Sequence, residues 1–277
     1  MISATLRRPA SGPAGHGIYG AGWLAVHAPS GTPAPRAGAV QSGRDSARLP
    51  RAERILAVTA RPGQESADLG ALLYALGRDG SSVALLSLTR GEASEFNSTL
   101  QPLAAVRPWE LQVAAYLIGI SSVAVASYPD GSLGSCELAD LTERVARAIR
   151  RHGADLLLVP DPAGSDQDDA MVAIAACAAA DDAGLPAVAR TASHAADGWP
   201  VDLGDEAGAA RAVQRSAMAA HASQSDVLPD VIGRLELLGR EEWLRWLTRP
   251  RGLQPAPLRA PLADLSRLVP RARALAW

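Results

Sequence analysis

The sequence of 277 residues contains no lysine, since all 27 of its basic residues are arginine. This absence excludes Schiff-base chemistry and the lysine of a phosphate-binding P-loop. Cysteine is scarce as well, and Cys136 and Cys177 stand alone without a Cys-x-x-Cys pattern. The sequence therefore predicts neither a disulfide framework nor a thiolate metal site.

The sequence also lacks a large excess of charge of either sign and lacks long hydrophobic runs. The formal net charge is −2 and the arginines form no cluster, so nucleic acid is not expected as a partner. No run approaches the roughly 18 apolar residues of a membrane span, so no membrane association is expected. Residues 1–50 lack the apolar core of a signal peptide. A cytoplasmic location is the expectation that follows.

Short apolar runs alternate with segments of helical periodicity in the middle of the chain. Strands are predicted at 55–58, 82–88, 122–126 and 154–159, and helices at 68–76, 108–118, 138–151 and 170–183. This alternation predicts an α/β fold, a Rossmann-like three-layer sandwich with a mostly parallel sheet. Beyond Gly184 the pattern is less regular. We expect a helix at 211–223, a loop at 225–230, and a last strand with a short helix within 234–246.

The composition changes near both ends of the chain. Residues 1–50 are rich in Gly, Ala, Pro and Ser and are predicted to be a flexible tail, although Tyr19 and Trp23 leave open that part of it docks on the domain. Residues 248–277 are rich in Pro and Arg and are predicted to be a C-terminal arm. One α/β domain over 51–247 is the predicted organisation.

The first predicted strand leads into the loop Ala-Arg-Pro-Gly-Gln-Glu at 60–65. Ligands bind at the carboxyl ends of parallel strands, so chemistry is expected at this loop. Its polar side chains are those of Arg61, Gln64 and Glu65, and Gly63 precedes Gln64. Neither Arg61 nor Gln64 is a good ligand for a divalent metal, and Gly63 has no side chain.

Further motifs follow the other predicted strands in a fixed order. Residues 89–92 read TRGE, Arg107 and Glu110 have the spacing RxxE, and Asp130 is followed by glycine. Later segments read RSAMAAHASQ at 215–224 and GREEW at 239–243. Together with the 60–65 loop, these motifs resemble the LmbE-like, or PIG-L, deacetylases. That family consists of zinc-dependent hydrolases that remove acetyl groups from N-acetylglucosamine conjugates and related amides.

The resemblance fails at the metal site. The family's first loop reads AHPDDE, in which the His and the second Asp bind zinc and the first Asp is the catalytic base. Those positions hold Arg61, Gln64 and Gly63 here. A later HPDH motif supplies the third ligand, and its last position holds Asp169. Because Arg stays protonated in proteins, zinc binding is expected to be weak or absent, and no cofactor is expected.

The acidic run at Asp166, Asp168 and Asp169 has two interpretations. These carboxylates alone would favour a hard ion such as magnesium. Alternatively, Ser165 or Asp166 caps a helix whose first turn holds the other two aspartates. In the family geometry, the positions of Arg61 and Asp169 face the same ion. We therefore predict an Arg61–Asp169 ion pair at the former metal position, against the alternative that both side chains are solvated separately.

The resemblance also implies candidate ligand-binding residues. Glu92, Arg107 and Asp130 match positions that line the sugar-binding side of the cleft. The alternatives are that Arg107 is a surface charge at a helix start and that Asp130 only forms a turn. His221 matches the histidine of the family's HxSQ motif and, as a lone histidine on an Ala-rich helix, is also typical of a hydrogen-bonded structural residue.

Two functions remain open from the sequence. The leading one is a family member that has lost the zinc hydrolase site and binds a sugar-like or amide ligand, or a partner protein, in its cleft. The alternative is an active enzyme. It would be a de-N-acetylase or amide hydrolase with an unusual acidic site drawn from Asp166, Asp168, Asp169 and His221, or a metal-free catalyst in small-molecule biosynthesis.

Overall fold

The computed structural model describes residues 23–25, 50–191 and 197–249. The strands are β1 (Trp23–Ala25), β2 (Arg54–Thr59), β3 (Ser82–Thr89), β4 (Ser122–Tyr128), β5 (Leu156–Pro160), β6 (Ala187–Thr191), β7 (Trp199–Asp202) and β8 (Glu241–Thr248). The helices are α1 (Gln64–Ala67), α2 (Gly70–Arg78), α3 (Leu103–Ile118), α4 (Leu138–His152), α5 (Gln167–Ala183), α6 (Ala207–Ala219) and α7 (Leu228–Glu236).

The described strands form one sheet in the order β1-β4-β3-β2-β5-β6-β8-β7. The five central strands, from β4 to β6, are parallel to one another. Strand β1 adds antiparallel to β4 at one edge, and β8 and β7 add antiparallel at the other. The prediction of a Rossmann-like, mostly parallel sheet is confirmed.

Two layers of helices cover the sheet because the central strands are apolar on both faces. Ile55 and Ala57 of β2 pack under α2, α3 and α6, whereas Leu56 and Val58 face α4 and α5. Alternate side chains of one strand thus enter two different cores. This double burial fixes the register of β2, and with it the position of the loop that follows.

The structure corrects several predicted bounds. The helix predicted at 68–76 is α2, which spans Gly70–Arg78, and a separate short helix, α1, precedes it at Gln64–Ala67. Helix α3 begins at Leu103, so Pro108 lies inside it and not at its start. The loop expected at 225–230 gives way to α7 at Leu228.

The last third of the sheet was largely missed by the sequence patterns. Strands β6 and β7 are only five and four residues long, too short for a periodicity to stand out. The predicted last strand is β8, which runs antiparallel and buries Glu242 and Leu244 on alternate positions. Among the described residues, no helix is both long enough and apolar enough to cross a membrane.

Candidate functional site

The carboxyl ends of the parallel strands bring four loops to one edge of the sheet. The loop after β2 contributes Arg61, the loop after β4 contributes Asp130, and the segment after β5 contributes Asp166 and Asp168. The loop after β3 lies beside them and donates the amide of Ala93 to Asp130 Oδ2 at 3.0 Å. The site thus stands where an open α/β sheet is expected to bind ligands.

Arg61 is the centre of this site. Its Nη1 donates to Asp166 Oδ2 at 2.7 Å and its Nη2 to Asp166 Oδ1 at 3.2 Å, a bidentate pair. Its Nε donates to Asp130 Oδ1 at 3.2 Å, and Nη2 lies 3.6 Å from Asp168 Oδ2. Burial disfavours the guanidinium charge, but the hydrogen bond and charge of Asp166, helped by Asp130, outweigh it and raise the pKa of Arg61. One fixed cation therefore joins three carboxylates from two loops.

The three carboxylates are also held by their own surroundings. Asp166 caps α5 by accepting from the amides of Asp168 and Asp169, as the capping interpretation predicted, although capping is not its only role. Asp168 accepts from the amides of Gly131 and Leu133 at 2.7 and 2.9 Å. These contacts fix the acidic groups before any ligand arrives.

Asp130 does more than form a turn. Its side chain is buried and accepts from Thr89 Oγ1 at 3.0 Å, in addition to Arg61 and the amide of Ala93. The amide of Asp130 in turn donates to Glu92 Oε1 at 3.3 Å, and Glu92 itself is exposed at the rim. The loops after β3 and β4 are thereby locked together.

The prediction that Arg61 forms an ion pair with Asp169 is wrong. Arg61 pairs with Asp166, and Asp169 Oδ1 instead accepts from Gln64 Nε2 at 2.6 Å. Gln64 Oε1 accepts from the amides of Ala60 and Arg61, which orients its side chain towards Asp169. Two former ligand positions thus contact each other, as an amide and a carboxyl group.

Gly63 occupies the position where the resemblance places the catalytic base. Its φ of 102° is unfavourable for any residue with a side chain, so this backbone conformation itself favours glycine. The loop after β2 therefore provides no carboxylate at this position.

Arg107 is buried inside α3, so the interpretation of a surface charge is wrong. Its Nη2 donates to the carbonyl of Pro62 at 2.6 Å and its Nη1 to the carbonyl of Gly91 at 2.5 Å. A Cβ atom at Gly91 would clash with the guanidinium, and Gly91 has a φ of 73°. Burial lowers the pKa of Arg107. Arg107 thus joins the loops after β2 and β3.

Sequence reasoning missed the buried pair of Glu65 and His221, although both residues lie in the quoted motifs. His221 Nε2 lies 2.8 Å from Glu65 Oε1, and both side chains are fully buried. Ser66 Oγ donates to Glu65 Oε1 at 2.6 Å, and the amide of Gly63 donates to Glu65 Oε2 at 2.7 Å. Burial opposes ionisation of Glu65, but His221 and these donors outweigh it and lower its pKa. His221 therefore holds the loop after β2 through the buried side chains of Glu65 and Ser66.

The resemblance implies a zinc ion at this site. A catalytic zinc needs about three protein ligands and an open position. The matching positions here hold a permanent cation, an amide and a carboxylate already engaged by that amide. Among the described residues, no group of three or more His, Cys, Asp or Glu side chains is arranged to hold a metal. The residues present do not fit zinc.

The sheet order and the polar strand-end loops define an α/β protein of the deacetylase fold. Residues 56–180 match the family model described as GlcNAc-PI de-N-acetylase, or PIG-L. This match confirms the resemblance of the α/β domain to the PIG-L family. Comparison with curated proteins found no match.

Solved structures share the fold at low sequence identity. A conserved protein from Thermus thermophilus is 22% identical over 74% of this chain and 99% of its own, with a TM-score of 0.57. The N,N'-diacetylchitobiose deacetylase of Pyrococcus horikoshii is 18% identical over 71% of this chain and 84% of its own, with a TM-score of 0.58. The 4-carboxy-2-hydroxymuconate hydratase of Pseudomonas putida is 16% identical over 74% of this chain and 100% of its own, with a TM-score of 0.57.

Asp169 gives the site a measurable dependence on pH. Burial and the charge of Asp166 raise its pKa from 3.8 to about 6, against the hydrogen bond from Gln64. Between these values the folded state retains a proton that the unfolded state has lost, so stability falls as the pH rises through this window. We expect Asp169→Asn to raise the free energy of unfolding at pH 7 by about 1 kcal/mol, a value discounted for partial exposure.

Urea unfolding at pH 4 and pH 7 measures this effect, which should nearly vanish at pH 4. The matched control is Asp182→Asn, an exposed aspartate on the same helix. An equal gain from both substitutions, or a gain of the same size at both pH values, would contradict the assignment to Asp169.

Proposed function

We propose that this protein is a PIG-L family member whose cleft holds no zinc. The cleft would instead bind a small ligand that is rich in hydroxyl or amide groups, such as a sugar. The single observation that carries the proposal is that the residues at the family's zinc-ligand positions bind one another or neighbouring aspartates. Arg61 binds Asp166 and Asp130, and Gln64 binds Asp169. A cleft so arranged has a fixed cation where the family has a metal ion.

The groups left accessible suit such a ligand. The side chain of Arg61 is 26% exposed and that of Asp166 is 35% exposed. Arg61 donates three hydrogen bonds to carboxylates, so guanidinium hydrogens remain available at its exposed edge. Hydroxyl and amide groups both donate and accept, so they match a rim that offers guanidinium donors next to carboxylate acceptors.

A second candidate function is metal-free catalysis, and Asp169 is the observation that favours it. A carboxyl group with a pKa of about 6 exchanges protons near neutral pH, which suits a general acid or base. The fold does not restrict the reaction, because one protein of similar structure is a hydratase and not a deacetylase. In this alternative Asp169 is the proton-transfer group, and Arg61 stabilises negative charge on the reacting molecule.

The first experiment measures metal content in the wild type and in a variant restored towards the family pattern. The restored variant is Arg61→His/Gln64→Asp/Asp169→His, which supplies the three ligands that zinc needs and leaves Gly63 unchanged. Both proteins are incubated with one equivalent of zinc, dialysed and analysed for bound metal. We expect near-stoichiometric zinc in the restored variant and little in the wild type.

Stoichiometric zinc in the wild type would overturn the proposal. If the restored variant does not fold, the wild-type measurement still decides whether the cleft works without zinc. Calorimetric titration of wild-type protein with glucosamine and N-acetylglucosamine then tests ligand binding, and release of acetate separates binding from hydrolysis. Chelator-resistant release of acetate would favour the metal-free enzyme over the binding protein.

A further inference from the structure

Helix α3 has an unusual distribution of polarity. It contains two charged residues, Arg107 and Glu110, and both are buried. Glu110 accepts from the amide and the hydroxyl of Ser223 at 2.6 and 2.7 Å, while Arg107 binds the loops of the cleft. The face of α3 that points outward therefore carries no charge at all, although solvent-facing helices normally carry charged or polar residues there.

Large apolar side chains occupy this outward face. The exposed fractions are 65% for Trp109, 54% for Tyr116 and 39% for Leu117. The segment that leads into α3 adds Phe96 at 43% and Leu100, which is fully exposed. We call these five residues the α3 face. They are five of the eight large hydrophobic residues that are exposed in the described part of the chain.

The area of the α3 face is comparable to the largest apolar patch of a typical monomer, which is often a functional surface. From these exposed fractions, its five side chains present on the order of 500 Å² of largely apolar surface. Single exposed hydrophobic residues are normal, but patches of this size mark interaction sites. Tryptophan, tyrosine and phenylalanine are also the residues enriched at the centres of protein interfaces.

We propose that the α3 face is the contact surface between two copies of this chain in a symmetric dimer. A face without charge is complementary to itself, since two copies meet without desolvating or opposing any ionised group. Two such faces, when fully buried, cover about 1,000 Å² in total, which is the lower limit for a specific interface.

The spacing of the two aromatic residues specifies the arrangement. Trp109 and Tyr116 are seven residues, or two turns, apart, so they lie on one side of α3 at a separation of about 10 Å along its axis. In an antiparallel pair of α3 helices, a two-fold axis near Gln112 and Val113 places Trp109 against Tyr116 of the partner subunit. The same contact repeats on the other side of the axis, as an isologous interface requires.

Sedimentation velocity of the full chain over a range of concentrations tests the dimer. We expect the wild type to dimerise and Trp109→Glu to weaken dimerisation by about 100-fold, the effect of losing an interface hot spot on each side. The matched control is Leu237→Glu, because Leu237 is 85% exposed and lies outside the α3 face. This control should dimerise like the wild type.

A second variant tests the antiparallel arrangement and does not depend on a destructive substitution. Trp109→Arg/Tyr116→Glu places opposite charges against each other across the proposed axis, so it should dimerise more strongly than Trp109→Arg alone. A monomeric wild type would overturn the proposal, whether the α3 face is bare or covered by another part of the same chain. A wild-type dimer that Trp109→Glu leaves intact would overturn it as well, because the contact would then lie elsewhere.

Discussion

Replacing His221 by alanine is expected to lower the free energy of unfolding by about 3–5 kcal/mol, because the buried carboxylate of Glu65 is left without its partner. Glu65 is fully buried, and His221 Nε2 lies 2.8 Å from its Oε1. The substitution also leaves a cavity where the imidazole ring was, which adds to the loss. Urea unfolding of the wild type and the variant at pH 7 measures the effect, provided that the dependence of the unfolding free energy on urea concentration is the same for both.

The matched control removes the buried carboxylate that His221 contacts. In the double variant Glu65→Gln/His221→Ala no buried carboxylate is left unpaired, so part of the loss should be recovered relative to His221→Ala. A loss below about 1 kcal/mol in the single variant would show that Ser66 and the amide of Gly63 satisfy Glu65 without the histidine.

The pH dependence of the wild type provides a further check on this pair. The pKa of Glu65 is lowered from its ordinary value of 4.5 in the folded state. A depressed carboxyl pKa contributes stability that is present above the unfolded pKa and is lost as the pH falls through the folded pKa. Stability of the wild type should therefore decline below about pH 4.5 more steeply than that of the double variant.

Replacing Arg61 by alanine is expected to cost about 2 kcal/mol, less than for a fully buried pair because the side chain is 26% exposed. The loss arises because Asp130, Asp166 and Asp168 then face one another without a cation. Arg61→Lys keeps the charge but loses the bidentate contact with Asp166, so it should fall between the wild type and the alanine variant.

Two measurements distinguish this effect from a general loss of a surface charge. Arg240→Ala removes an ion pair with Asp202 in which the two side chains are 58% and 36% exposed, so it should change stability far less than Arg61→Ala does. The carboxylates left by Arg61→Ala should attract a hard divalent ion. Added calcium should therefore raise the melting temperature of Arg61→Ala more than that of the wild type. Equal losses in both alanine variants, or no difference in the response to calcium, would contradict the role assigned to Arg61.

The sequence predicted the central sheet and the position of the site for a physical reason. Strands such as β2 and β3 are continuous apolar runs, and turn-forming residues bound them, so their existence follows from local pattern. Strands β6 and β7 depend on pairing with β8, which lies about 50 residues later in the chain than β6. Long-range pairing of this kind leaves little trace in a local periodicity.

The partners within the site were harder to predict than its members. Arg61, Asp166 and Asp169 were all expected at the former metal position, yet the choice between Asp166 and Asp169 depends on side-chain orientation. Asp166, as the cap of α5, projects towards the loop after β2, whereas Asp169 is turned towards Gln64. The pair of Glu65 and His221 joins residues 156 positions apart, and the alternation of hydrophobic residues contains no signal for it.

The cation among the carboxylates of Asp130, Asp166 and Asp168 is the side chain of Arg61, so it is part of the polypeptide itself. Every molecule of the protein carries this positive charge as soon as it is synthesised. No ion has to be delivered, selected or retained for the charge to be present. Scarcity of a nutrient metal, or a surplus of a competing one, leaves that charge unchanged. The electrostatics of this edge of the sheet are consequently independent of the metal supply of the cell.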